Sequence, residues 1–193
     1  MDLGPVAIER GTPVIANPIY REVIARHLTY GQQLAIPEPE WLWEKPDGSL
    51  DMDTLLKEFQ SFWRQNSELW ESKTESGYTE AFPHLLLMAF LQRVLNGGGR
   101  IEREYAAGRG RMDLSVEYKK HQYIIEIKLL RSYHSPEEFR KKGLEQVLKY
   151  RDNFSAQTPA YLIIFDRRPE SESKAWEERI FWECDGEVTV LGC

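Results

Sequence analysis

Cysteine is nearly missing from this chain, which holds only Cys184 and the terminal Cys193. Two thiols cannot make a disulfide framework or a multi-cysteine zinc site, and they fit a reducing compartment. Long apolar runs are missing too. No stretch approaches the roughly 18–20 residues of a membrane span. Met1 is followed by Asp2, without the basic start and apolar segment of a secretory signal. These absences set the expectation of a soluble, cytoplasmic protein with no membrane partner. There is no GxxxxGK[ST] loop, so no P-loop nucleotide site is expected. Internal repeats and low-complexity tracts are also lacking.

What is present is material for a core. Of 193 residues, 41% are hydrophobic and 12% aromatic. That suits one folded domain with a small appendage, and excludes a disordered chain. A net charge of −6 speaks against a simple polyanion binder. The charge is uneven, however. Residues 1–98 hold 8 basic and 14 acidic side chains, residues 99–151 hold 13 and 8, and residues 152–193 hold 4 and 9. The only basic third is the middle one.

Turn signals divide the chain. In residues 1–35, Val6-Ala7-Ile8 and Val14-Ile15-Ala16 flank Gly11-Thr12-Pro13 and read as a short hairpin, followed by a helical period from Ile19 to Leu28. This arm is too small to fold alone and reads as a junction to, or remnant of, a preceding module. Residues 36–53, rich in proline, read as a linker pinned by Trp41 and Trp43. Residues 54–193 form the main domain. Asp53 is the expected cap of a helix burying Leu55, Leu56, Phe59, Phe62 and Trp63. A second, nearly all-apolar helix spans Leu85 to Leu95 and stops at Asn96-Gly97-Gly98-Gly99.

Strands follow at 101–106, 112–118 and 123–130. A helix opens at Ser135-Pro136, with Phe139, Leu144, Val147, Leu148 and Tyr150 as its expected buried side. An apolar strand covers 160–165, and a hairpin turns at Asp185-Gly186. A helix between the third and fourth strands demands a crossover, so at least one strand pair is parallel. The fold class is α/β: a central mixed β-sheet flanked by helices in the order α-β-β-β-α-β, plus a C-terminal hairpin. Cys184 is expected to be a packed strand residue and not a nucleophile.

Within the basic third, Asp113 lies thirteen residues before Glu126-Ile127-Lys128. Glu126 and Lys128 are the only charges in an apolar strand and share one face. Hydrolysing a phosphodiester requires neutralising the phosphate and making a nucleophile from water. Two carboxylates that hold a hard cation, with a lysine beside them, have that chemistry. If the turn lies at 119–122, Asp113 faces Lys128 and Glu126 lies opposite Ser115, a diagonal step from Asp113. The same residues could form a simple strand-edge salt bridge, which contributes little to stability. Charges flanked by Ile124, Ile125, Ile127, Leu129 and Leu130 are costly to bury without a function, which favours the site. His84, His121 and His134 read first as solvated helix-start or turn residues. Arg109 and Arg111 read equally as solvated turn residues or as phosphate contacts. Lys142 reads first as the wet face of its helix and is carried with them as a candidate nucleic-acid contact.

Asp113 followed by Glu126-Ile127-Lys128 resembles the core motif of the PD-(D/E)XK nuclease superfamily. GRGRMDL, YIIEIKLL and KGLEQVLKY, with ANPIYREVI at 16–24, are similar to the nuclease-like C-terminal domain of certain prokaryotic AAA-ATPase-like proteins. The resemblance covers about residues 3–169. It implies a restriction-endonuclease-like core that hydrolyses nucleic acid, DNA first, with Mg²⁺ or Mn²⁺. Asp113 and Glu126 would be metal ligands, with the Ile127 carbonyl a third, and Lys128 the catalytic lysine. Glu80 matches the place of a further acidic residue, and Gln146 that of a helix residue facing the site. Met112 stands where the superfamily motif has proline. The resemblance also implies an ATPase partner, in cis or in trans. The alternative is a catalytically inactive module of the same fold that binds nucleic acid or protein beside that ATPase, or assembles as a homo-oligomer.

Overall fold

A computed structural model describes residues 6–9, 12–15, 43–66, 81–95, 99–107, 110–155, 157–168 and 179–193. Strands β1 (Val6–Glu9) and β2 (Thr12–Ile15) form the expected antiparallel hairpin, with Val6 opposite Ile15. The helical period expected from Ile19 to Leu28 lies outside the described residues, as do Trp41 and Glu80.

The main body is built on a six-stranded mixed sheet. Its strands are β3 (Gly99–Ala107), β4 (Gly110–Tyr118), β5 (His121–Leu130), β6 (Ala160–Asp166), β7 (Trp182–Asp185) and β8 (Val188–Gly192), in the spatial order β3-β4-β5-β6-β8-β7. β3, β4 and β5 form an antiparallel meander. β5, β6 and β8 run parallel to one another, and β7 closes the far edge antiparallel to β8. The parallel β5–β6 pair is bridged by α3 (Pro136–Arg151), as the crossover argument requires. The expected mixed α/β sheet is therefore present, and the C-terminal hairpin joins it as β7 and β8.

Helices cover both faces. α1 (Met52–Gln65) and α2 (Ala81–Leu95) pack on one face, and α3 covers the other. Asp51, not Asp53, caps α1: its carboxylate accepts from the Thr54 backbone N–H at 3.2 Å and from the Thr54 hydroxyl at 2.8 Å. Asp53 is thereby free to accept from the Tyr161 hydroxyl at 2.7 Å. The five expected core residues of α1 are all buried. Buried Gln60 on the same helix donates to the carbonyls of Phe181 and Gly192, tying α1 to the C-terminal hairpin.

The residues just before α1 are also fixed. The Tyr123 hydroxyl accepts from the Leu50 N–H at 2.8 Å, and Trp43 packs against the core.

α3 departs from its expected packing. Val147 and Tyr150 are buried, but Leu148 is exposed, and Gly143 and Arg151 are buried in its place. Gly143 marks the helix's closest approach to the sheet, because a Cβ there would lie 2.8 Å from a Leu162 methyl. Cys184 is exposed, against expectation, because β7 is an edge strand. Gly186, at φ +61°, makes the β7–β8 turn.

Candidate functional site

β5 carries the site because of where it sits. As a central strand it is buried from Tyr123 to Ile127. Its odd-numbered residues Tyr123, Ile125 and Ile127 enter the α1/α2 core, and Ile124 and Leu130 enter the α3 core. Glu126 and Lys128 therefore project to the α3 side. The Lys128 ammonium donates to Glu126 Oε1 at 2.6 Å. The Glu126 side chain is 3% exposed and that of Lys128 is 19% exposed.

The strand register corrects the expected geometry. The β4–β5 turn takes only Lys119 and Lys120, so Tyr118 pairs with His121, Ser115 with Ile124 and Leu114 with Ile125. The next position in that register sets Asp113 opposite Glu126. Lys128 does not face Asp113, and Ser115 does not face Glu126. The backbone ladder stops at Leu114–Ile125, and the Asp113 carboxylate takes over: Oδ2 accepts the Ile127 N–H at 2.8 Å. A side chain thus replaces a strand carbonyl where β4 and β5 part. This brings two carboxylates together at the fork, with Lys128 beside them.

The electrostatics follow from that placement. Burial is the largest influence on Glu126, and the negative charge of Asp113 adds to it. The Lys128 ammonium opposes both, and the carboxyl is left raised to about 7. Glu126 Oε2 is buried and has no hydrogen-bond partner among the described residues. An unpaired carboxylate oxygen in an apolar interior is costly unless something not made of protein completes its shell.

The other expected site residues are dispersed. Gln146 lies half-buried on α3, three residues after the close-approach Gly143. Lys142 is exposed on the same helix, in line with a wet helix face. Arg111 lies in β4, paired with Ala106 of β3. Arg109 and Glu80 lie outside the described residues. Among the described residues, no three His, Cys, Asp or Glu side chains converge on one point. His121 begins β5 and is not a turn residue, and His84 is half-buried in the first turns of α2.

The β5–α3 turn carries a feature that hydrophobic patterning did not find. His134 stacks on Phe139, with ring centres 4.2 Å apart. Neighbouring Tyr133 is 75% exposed. A lone aromatic in a polar turn gives no periodic signal, and its exposure follows from the turn geometry.

Comparison with known proteins agrees with this geometry. The model of the PD-(D/E)XK nuclease superfamily matches residues 78–166. That segment contains α2, the strands from β3 to β6, α3, and the residues Asp113, Glu126, Lys128 and Gln146. No curated protein matches the chain. Among solved structures, a restriction endonuclease PspGI–substrate DNA complex is similar. It shares 13% identity over 83% of this chain and 73% of that chain, with a TM-score of 0.32, which is too distant to carry an argument about function.

Proposed function

We propose that this chain is a metal-dependent nuclease domain that hydrolyses phosphodiester bonds of nucleic acid, DNA first, at the fork between β4 and β5. The observation that carries the reading is the buried Glu126 Oε2, which has no hydrogen-bond partner among the described residues and lies beside a second carboxylate and a lysine. The superfamily match over residues 78–166 supports it.

The residues present fit a hard divalent cation of the Mg²⁺ or Mn²⁺ kind. Asp113 and Glu126 supply carboxylate oxygens from adjoining strands, and the Ile127 carbonyl is a third oxygen within the motif. Glu80, from the segment before α2, is proposed as a further acidic ligand. A cation held there would neutralise phosphate charge and acidify a bound water.

The protein's own groups then have distinct tasks. Asp113 is fixed through Oδ2 by the Ile127 N–H, and Oδ1 is its proposed ligand oxygen. Glu126 must lose its proton to act as a ligand, and the Lys128 ammonium holds the resulting anion. Lys128, the more exposed of the pair, keeps donors for a phosphate oxygen and for orienting water in the transition state. Gln146 is proposed to approach the same face from α3. Arg109, Arg111 and Lys142 are proposed phosphate contacts along the basic third of the chain. An ATPase partner, in cis or in trans, completes the proposal.

The test is cleavage of a mixed panel of single- and double-stranded DNA and RNA in Mg²⁺ or Mn²⁺, with the fold of each variant checked by circular dichroism. The expected result is cleavage by the wild type and loss of at least two orders of magnitude in Lys128→Ala. Equal trace activity in both would remove the enzymatic reading and leave a nuclease-fold binding module.

A further inference from the structure

Tyr133 is out of place by ordinary packing rules. It is one of two exposed large apolar side chains among the described residues, with Leu148, and at 75% it is much the barer. Its position is fixed by the turn that carries it. The His134 N–H donates to the Arg131 carbonyl at 2.9 Å, and the Arg131 N–H donates to His134 Nδ1 at 3.2 Å. The Arg167 N–H donates to the Leu130 carbonyl, tying the end of β5 to the chain after β6. On this frame three rings touch in succession. The Tyr133 ring is tilted 57° to that of His134 with centres 4.3 Å apart, and His134 stacks on Phe139 at 26°, 4.2 Å away. Phe139 is partly buried and packs against the α3 core. The series therefore runs from the interior outward and ends on a bare tyrosine ring.

The turn follows the candidate site along the chain. Lys128 and Leu130 are two residues apart on β5, about 7 Å along the strand, and the turn follows at once. Its chemistry also selects the kind of contact. The turn carries charges of both signs, with Arg131 at its start and Glu137 and Glu138 in the first turn of α3, so what singles it out is the bare ring. An exposed aromatic ring, held against two others and five residues beyond Lys128 in the chain, suits a base.

We infer that Tyr133, backed by His134 and Phe139, is a stacking platform for an unpaired nucleobase next to the scissile phosphate, which makes single-stranded or locally opened nucleic acid the substrate class. This rests on reading the β4–β5 fork as a phosphodiesterase site. Stacking on such a face tolerates every base, because each has a π surface. A base inside an intact duplex has no free face to offer.

The test separates this inference from the catalytic reading by measuring binding without cleavage. Fluorescence anisotropy of the full chain in EDTA would follow a labelled 15-mer of oligodeoxythymidylate, an abasic 15-mer of equal charge, and a 15-base-pair duplex. Wild type is expected to bind the thymidylate strand about tenfold more tightly than the abasic strand. Tyr133→Ala should abolish that preference without changing abasic binding, and Tyr133→Phe should keep it. Equal wild-type affinity for the base-bearing and abasic strands would overturn the inference, as would a preference that survives in Tyr133→Ala or binding confined to the duplex. If the Tyr133-dependent preference holds while Mg²⁺ gives no cleavage, only the catalytic reading falls. If cleavage occurs and the strand preference is indifferent to Tyr133, only the platform falls.

Discussion

On the α1/α2 face of the sheet, Val116, Ile125, Ile127, Ile163 and Phe165 meet an aromatic cluster. Phe165 lies edge-on to Trp63 at 4.6 Å and to Phe59 at 6.2 Å, and Phe59 packs on Phe90 at 5.4 Å. On the α3 face the same strands present Ser115, Glu126 and Lys128 amid a smaller apolar cluster, and one helix covers them. Among the described residues, the buried cluster on the first face contains no charged side chain. The second accepts a carboxyl raised to about 7, one of whose oxygens has no hydrogen-bond partner among the described residues. β5 serves both faces, because alternate side chains of a strand point to opposite sides. A central strand can thus anchor a domain with one face and hold reactive groups at fixed positions with the other.

Substitutions on each face sharpen that contrast. The largest effect is expected from Phe165→Ala, which empties the centre of the aromatic cluster and should cost about 3–5 kcal/mol in denaturant unfolding, with little dependence on pH. Glu126→Gln should do the opposite. A carboxyl whose folded pKa is raised binds its proton more tightly when folded. Wild-type stability therefore falls as pH rises from the unfolded value near 4.5 to about 7. The glutamine variant lacks that loss. It should match wild type near pH 4 and exceed it by about 1–3 kcal/mol at pH 8, as read from paired urea melts. A wild-type advantage at pH 8 would show that Glu126 is not strained.

Gly143→Ala probes the thinner cover of the second face. The added methyl meets the buried side chain of Leu162, the β6 partner of Glu126, so either Leu162 or α3 must shift. Thermal denaturation should show a loss of about 1–2 kcal/mol, where an open helical site would gain from alanine. The smallest change is expected from Tyr161→Phe, which removes the hydroxyl bond to exposed Asp53. It should cost about 0.5–1.5 kcal/mol, since Asp53 can rehydrate.

Much of the layout was legible in the sequence. Glu126 and Lys128 in an apolar run announced a central strand with one charged face, and Ser135-Pro136 announced the crossover helix. What escaped reading depended on details with no periodic signature. The β4–β5 turn uses two residues, and that small change moves Asp113 from Lys128 to Glu126. Asp51 and Asp53 are equally good caps by type, and only the start of the helix at Met52 chooses between them. Gly143 is buried because it is small, so a hydrophobic count passes over it and assigns its place to Leu148. The Asp185-Gly186 turn was readable. That β8 then lies parallel to β6, with Val188 and Val190 in the α3 core, is set by the face β6 leaves uncovered.

The central claim is that the β4–β5 fork is a cation site made of Asp113 and Glu126. The most direct measurement is calorimetric titration of the full chain with Mn²⁺. The account predicts one saturable site at pH 8, weakened at pH 6 because Glu126 must release its proton, and abolished in Asp113→Ala. Absence of any saturable heat in the wild type, or an unchanged isotherm in Asp113→Ala, would contradict it.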